Sequence, residues 1–208
     1  MKTTLSLLVI LLTALTSCSQ PLSQLEQIKQ RGELIVLSRY NPTTYHTKGG
    51  HLTGLEYDLA RQFAQRLGVK LKVVIPKNLG KMIDLLELNQ ADIAAAGLTI
   101  TQKREQHVRF GPVYQEVTQQ LVYRQGNKKP KNLTALRNGL LEVVADSSHV
   151  EQLLQHRETI PELRWTANQR LDSSHLLELV QLEMIDYTVA DSNEITTFQS
   201  YFPELRVA

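Results

Sequence analysis

The sequence has 208 residues, of which 42% are hydrophobic, and this share is enough to build a buried core and to exclude extended disorder. Lysine and arginine total 23 and aspartate and glutamate total 21, so the near balance of charge argues against a surface devoted to nucleic acid. With a single cysteine, the chain forms no intramolecular disulfide and no cysteine-based zinc cluster.

The first eighteen residues have the pattern of an export signal. Lys2 precedes a largely apolar run over residues 5–15, which is long enough for a secretory segment but too short to span a bilayer. Cys18 follows Leu-Thr-Ser, and this string resembles the lipobox of bacterial lipoproteins, in which the cysteine is acylated and becomes the mature N-terminus. Because Ser19 is not aspartate, the resemblance implies an anchor on the periplasmic face of the outer membrane. A plain signal peptide with an incidental cysteine is the alternative.

Strands and helices alternate in the first half of the remaining chain. Ser23 and Glu26 form a capping box for a short helix that Gly32 ends. Leu55, Leu59 and Phe63, with Leu67, recur every four residues and predict the apolar face of a helix, and Asn78 caps another. Buried strands are predicted over residues 33–38, 69–75 and 92–97. This βαβαβ order indicates a parallel sheet with right-handed crossovers.

A polar, basic segment over residues 124–132 precedes a second α/β unit. Its lysines could bind an anion, but a solvated connection between two lobes is the more ordinary interpretation. In the second unit Ser148 with Glu151, Asp172 and Asp191 are predicted to begin helices. We expect a signal peptide, a tether with a short helix, lobe one and lobe two over residues 1–17, 18–32, 33–123 and 124–208.

Several motifs resemble those of the bacterial extracellular solute-binding proteins of family 3, the amino-acid-binding type. They are RGELIV at 31–36, GLEYDLA at 54–60, and a segment at 91–114 that contains GLTITQKR and FGPVY. The runs QQLVYR at 119–124 and IDYTVADS at 185–192 are similar to the non-catalytic N-terminal domain of membrane-bound lytic murein transglycosylases. The resemblance implies an α/β, two-lobe, periplasmic-binding-protein-like fold of type II, which closes around a ligand.

In that family two segments cross between the lobes, and lobe one contains both ends of the chain. Here the sequence stops after residues 201–207, about where the second crossing should begin. We therefore expect the C-terminal return to lobe one to be missing, and a catalytic domain with it. A fragment of this kind would expose apolar faces of lobe one and would be marginally stable and prone to aggregate.

Candidate ligand-binding residues in lobe one lie in the loop after the strand at 92–97, because ligands bind at the carboxyl ends of parallel strands. Gly97 allows close backbone approach, Thr99 offers a hydroxyl, and Arg104 offers a planar fork of donors for a carboxylate. By the resemblance, these three match the positions that hold a ligand α-carboxylate. A surface arginine is the alternative for Arg104.

In lobe two, Ser147 and Ser148 precede a helix whose free N–H groups could bind an anion, with plain N-capping as the alternative. By the resemblance, Asp191 matches the position that pairs with a ligand amino group, and its alternative is a helix cap. Tyr45 lies where relatives place an aromatic ring against the ligand, or is a generic loop tyrosine. The Ser-Ser-His sequence at 147–149 differs from the glycine-threonine pairs of related binders, which argues against a simple free amino acid.

Motifs for catalysis and cofactors are missing from the sequence. There is no His-Glu-x-x-His pattern, no Gly-x-Ser-x-Gly elbow, and no glutamate followed by serine as in lytic transglycosylases. We therefore expect no catalytic residue, no metal and no cofactor. The leading hypothesis is a periplasmic solute-binding or sensing domain of a transglycosylase-like lipoprotein, with an amino acid or a peptidoglycan peptide as ligand and a catalytic domain as partner. A stand-alone amino-acid-binding lipoprotein of an ABC importer and an inert, poorly folded chain are the alternatives.

Overall fold

The computed structural model describes residues 21–208, so the predictions for the export segment and for Cys18 lie outside it. Seven α-helices and one 3₁₀ helix are present in this range: α1 Gln24–Arg31, α2 Leu55–Leu67, α3 Gly80–Glu87, α4 Gln102–Glu105, 3₁₀ Leu133–Asn138, α5 Ser148–Thr159, α6 Ser173–Gln181 and α7 Ser192–Gln199. Within the same residues the ten strands are β1 Glu33–Leu37, β2 His46–Lys48, β3 His51–Thr53, β4 Lys70–Val74, β5 Ile93–Ala94, β6 Gln119–Arg124, β7 Leu141–Val144, β8 Thr166–Asn168, β9 Tyr187–Asp191 and β10 Leu205–Val207.

The first sheet is parallel, as predicted, with the strand order β4-β1-β5. Side chains of β1 alternate between its two faces: Leu34 and Val36 pack with α1 and α2, and Leu37 packs with α3. The predicted capping box of Ser23 and Glu26 is present at the start of α1. Helices on both faces of a parallel sheet define lobe one as an α/β layer structure.

The buried face of α2 differs from the prediction. Leu55, Leu59 and Phe63 are each more than 40% exposed, whereas Ala60 and Ala64 are buried against β1. Small side chains at the contact let the helix approach the sheet closely. The large side chains one position earlier, Leu59 before Ala60 and Phe63 before Ala64, then point outward. The four-residue period identified the helix, but it selected the wrong face.

The second sheet has five strands in the order β10-β6-β9-β7-β8. Strands β7, β8 and β9 are parallel to one another, while β6 runs antiparallel to both of its neighbours, β9 and β10. Leu176, Leu177 and Val180 of α6 cover one face, and Leu153 of α5 packs on the other. Because this sheet has its own core on both faces, it forms lobe two.

The border between the lobes lies earlier than the sequence suggested. We expected residues up to 123 in lobe one, but Gln119–Arg124 pairs with β9 and so belongs to the second sheet. Residues 205–207, near the expected second crossing, form β10 and pair with β6. β5 is also shorter than predicted, because the chain leaves the sheet after Ala94 and turns at Gly97, whose φ is +63°. Among residues 21–208, no helix combines the length and apolar character that a membrane crossing requires.

A candidate ligand-binding cleft between two lobes

The loop that follows β5 faces the start of α5 across a small cavity of about 20 Å³. We call it the cleft cavity. Six of the seven predicted ligand-binding residues line it, three from each lobe: Gly97, Thr99, Arg104, Ser147, Ser148 and Asp191. A volume of this size holds about one water molecule. The two lobes are therefore closed on each other in this structure.

Arg104 is a buried side chain and not a surface arginine, since only 6% of it is exposed. Thr101 caps the short helix α4 and accepts a hydrogen bond from the Arg104 N–H at 3.3 Å. The guanidinium donates to the carbonyl of Thr99 at 2.9 Å and, across the cleft, to the carbonyl of Asp146 at 3.1 Å. Burial lowers the pKa of Arg104. A buried cation whose partners are neutral carbonyls is a strong attractor for a carboxylate.

The N-cap of α5 is Ser147, whereas the sequence predicted Ser148. The Ser147 hydroxyl accepts from the Val150 N–H at 3.4 Å, and its backbone is extended as an N-cap requires. Ser148 is the first helical residue, and its hydroxyl donates to the Thr99 hydroxyl of the other lobe at 3.2 Å. The sequence placed the cap one residue late, because the two adjacent serines are equivalent as capping residues.

Asp191 occupies the N-cap position of α7 but makes no capping bond with its side chain. Its carboxylate instead contacts His149, with Asp191 Oδ1 3.1 Å from His149 Nε2. Both residues are buried. The Asp191 side chain is therefore directed toward the cleft and α5.

Gly97 brings the backbone close to two charged side chains. Its N–H donates to both carboxylate oxygens of Glu56, at 2.6 and 2.7 Å, and the hydroxyl of Tyr114 donates to the same carboxylate. A Cβ at Gly97 would lie 3.1 Å from Nη2 of Arg39. Burial raises the pKa of Glu56. The chain's own carboxylate thus takes the Gly97 N–H in this structure.

A second group of polar residues joins the lobes and was missed by the sequence analysis. Glu194 of α7 is buried, and its Oε1 accepts from Arg39 Nη2 at 3.1 Å, Asn41 Nδ2 at 3.2 Å and Ser173 Oγ at 2.7 Å. Arg39 and Glu194 also line the cleft cavity. Arg39 lies two residues after the end of β1, so the rule that ligand residues lie after parallel strands was the signal that could have identified it.

Tyr45 does not line the cleft cavity. Its ring packs against Tyr57 at a centroid distance of 5.4 Å and against Tyr40 at 6.1 Å. A larger groove of about 1080 Å³ adjoins the cleft along β5 and residues 107–117. The structure therefore brings together six of the predicted residues, adds Arg39, His149 and Glu194 to them, and leaves Tyr45 apart.

Two α/β lobes that close over a polar cleft define the architecture of a periplasmic solute-binding protein. Residues 33–187 match the family of bacterial extracellular solute-binding proteins, family 3, and the chain belongs to this family.

Curated relatives are similar over most of the chain. It is 42% identical over 190 residues to membrane-bound lytic murein transglycosylase F 1 of Alkalilimnicola ehrlichii, covering 91% of this chain and 38% of that protein. It is 44% identical over 186 residues to membrane-bound lytic murein transglycosylase F of Serratia proteamaculans, covering 89% of this chain and 38% of that protein. The chain thus spans 38% of the length of these two relatives, which fits an N-terminal domain.

Solved structures of amino-acid-binding proteins share the fold. A P235GK mutant of ArgBP from T. maritima matches with a TM-score of 0.77 and 24% identity, covering 89% of this chain and 79% of that one. An amino acid ABC transporter substrate-binding protein from Streptococcus pneumoniae, bound to L-arginine, matches with a TM-score of 0.77 and 23% identity, covering 90% and 78%. The predicted α/β, two-lobe fold is confirmed.

Proposed function

We propose that this chain is a periplasmic solute-binding or sensing domain that closes its lobes around an amino acid or a peptidoglycan peptide. The observation that carries the proposal is the buried guanidinium of Arg104, whose hydrogen bonds within residues 21–208 go to neutral carbonyls on both sides of the cleft. A ligand carboxylate would replace these carbonyls with a charge-assisted, bidentate contact.

The other end of the ligand would meet Asp191. The carboxylate of Asp191 contacts His149 when the cleft is closed, and a ligand ammonium group would bring the opposite charge to it. Thr99 and Ser148, which now contact each other across the cleft, would turn their hydroxyls to the ligand carboxylate. The cleft cavity of about 20 Å³ is smaller than an amino acid, so a ligand would occupy it after the lobes open or would extend into it from the groove of about 1080 Å³, which Gly97, Thr99 and Asp191 also line.

The similarity to relatives named membrane-bound lytic murein transglycosylase F supports a role in a longer lipoprotein. In that role the domain would be anchored through an acylated Cys18 to the periplasmic face of the outer membrane. Closure of the lobes would report ligand occupancy to a C-terminal catalytic domain. Mass spectrometry of the membrane-bound form tests the anchor, since an unmodified Cys18 thiol would contradict it.

A stand-alone amino-acid-binding lipoprotein of an ABC importer is the second candidate function. It is favoured by the shared fold with an amino acid ABC transporter substrate-binding protein, at a TM-score of 0.77. The two candidates differ in their expected ligands. An importer component would bind one free amino acid most tightly, whereas a cell-wall sensor would prefer peptides of peptidoglycan origin.

Thermal unfolding of the chain in the presence of single amino acids and peptidoglycan stem peptides tests the proposal. A ligand at 100 times its Kd stabilises the folded state by about 2.7 kcal/mol, which shifts the melting temperature by several degrees. Ligands that raise the melting temperature are then measured by calorimetry. A panel in which no amino acid and no stem peptide stabilises the chain would contradict a solute-binding function.

A further inference from the structure

Two buried nitrogen atoms in residues that line the cleft cavity have no hydrogen-bond partner within residues 21–208. One is Nε of Arg39 in lobe one, and the other is Nδ1 of His149 in lobe two. Nearly all buried polar atoms in proteins are paired, and each unpaired one costs about 1–3 kcal/mol. Two such atoms at one cavity indicate the place where a ligand supplies the missing partners.

The two nitrogens have opposite hydrogen-bonding roles. A guanidinium nitrogen can only donate, so Arg39 Nε requires an acceptor. For His149, Nε2 faces Asp191 Oδ1 at 3.1 Å, and because a carboxylate only accepts, Nε2 carries the hydrogen. When the imidazole is neutral, its other nitrogen is an acceptor, and His149 Nδ1 then requires a donor.

Neighbouring carboxylates hold both the Arg39 guanidinium and the His149 imidazole in place. Glu194 fixes the Arg39 guanidinium through Nη2 at 3.1 Å and is itself held by Asn41 and Ser173. Asp191 fixes the imidazole of His149, which is 5% exposed. The unpaired donor and the unpaired acceptor are therefore preorganised, one on each side of the cleft.

We propose that Arg39 and His149 together select a ligand that carries an amide group, either a peptide bond or a side-chain carboxamide. The amide C=O would accept from Arg39 Nε, and the amide N–H would donate to His149 Nδ1. This inference rests on the proposed solute-binding function and deepens it, because it names the group that is recognised beyond the carboxylate and the ammonium. Glu194 and Asp191 act through Arg39 and His149 as positioning residues.

Matched pairs of small probes test the proposal on the full chain by calorimetry. L-glutamine is compared with L-glutamate, and L-alanyl-L-alanine with its ester analogue, L-alanyl-L-lactate, which keeps the carbonyl but has no amide N–H. Leaving a buried hydrogen-bonding group unpaired costs about 1–3 kcal/mol, so the amide member of a pair is expected to bind roughly 5- to 150-fold more tightly. Equal affinities within both pairs would overturn the inference while leaving the proposed function intact.

Substitution of His149 separates its recognition role from a structural one. His149→Phe keeps an aromatic ring and removes the acceptor, so the affinity ratio between dipeptide and ester is expected to fall to about one. His156→Phe on the same helix, at an exposed position, is the matched control and keeps the ratio. A ratio that survives in the folded His149→Phe variant would overturn the proposal.

Nitrogen NMR of the histidine ring provides a readout that does not depend on folding of a variant. In ¹⁵N-histidine-labelled chain, the Nδ1 resonance of His149 is expected to move when the dipeptide is added and to stay in place when the ester is added. An unchanged Nδ1 resonance at saturating dipeptide would overturn the amide contact. If no probe binds at all, the proposed solute-binding function itself is contradicted.

Discussion

The guanidinium of Arg104 joins the two lobes through the carbonyls of Thr99 and Asp146, and the proposed function assigns it to a ligand carboxylate. We expect Arg104→Ala to weaken ligand binding by roughly 30- to 1000-fold, because a charge-assisted bidentate contact contributes on the order of 2–4 kcal/mol. Calorimetry measures the effect, with the ligand that the panel of amino acids and stem peptides identifies. Arg170→Ala, at an exposed position, is the matched control. A similar affinity for both variants would show that Arg104 does not bind the ligand.

Glu56 predicts a pH dependence of stability. Burial raises its pKa above the usual 4.5, and although Tyr114, Gly97 and Arg39 act in the opposite direction, Glu194 adds to the rise. The folded state then binds the proton more tightly than the unfolded state, so the free energy of unfolding falls as the pH rises from 4.5 through the folded-state pKa.

Glu56→Gln should reduce the fall of the unfolding free energy with pH, because glutamine at this position has no carboxyl proton to lose. Urea unfolding of both proteins between about pH 4 and pH 8 measures the slope. Glu105→Gln, at an exposed position on α4, serves as the control and should keep the slope of the unmodified chain. A slope unaffected by Glu56→Gln would show that this carboxyl keeps the same proton affinity on unfolding.

The two serines at the start of α5 have different roles. Ser147→Ala should lower the free energy of unfolding by about 0.5–2 kcal/mol, because it removes the side-chain cap of the helix. Ser148→Ala keeps that cap and should lower it by less, while removing the contact with Thr99 across the cleft. Denaturant titration measures the free energy of unfolding of the two variants. A larger loss for Ser148→Ala than for Ser147→Ala would show that Ser148 is the cap.

Local signals in the sequence predicted the helices and strands well. The caps of α1 and α6 and the glycines after α1 and α2 act within one turn of the chain, so they are visible in any short window, whereas the cap of α5 lies one residue before the predicted one. The buried face of α2 was predicted wrongly, because the choice between its leucines and its alanines depends on the distance of closest approach to β1. That distance is a property of packing and leaves no local signal.

Long-range pairing explains which parts of the site were missed. Thr99 and Arg104 follow a strand and carry a recognisable motif, and the structure places both at the cleft. The hydrogen bond between Arg39 and Glu194 joins residues 155 positions apart, and the bond between His149 and Asp191 spans 42. Glu194 lies on a helix, where an acidic side chain is usually solvated, so its burial follows only from the packing of the two lobes.

The two lobes should differ in local stability. The first sheet has three strands, and β5 pairs through only two residues, whereas the second sheet has five strands. We expect amides of β4 and β5 to exchange faster than those of β7 and β9, because fewer buried contacts protect them. Hydrogen exchange measured by mass spectrometry tests this, and equal protection in both sheets would contradict it.

The contacts between the two lobes have a kinetic consequence. If the closed cleft must open first, the measured dissociation constant equals the intrinsic one divided by the fraction of molecules that are open. The rate of complex formation then levels off at the rate of lobe opening once the ligand is abundant. Opening breaks the bonds of Arg104 with Asp146, Ser148 with Thr99 and Arg39 with Glu194. Weakening any one of them would make the protein respond faster to its ligand, whatever it does to the strength of the final complex.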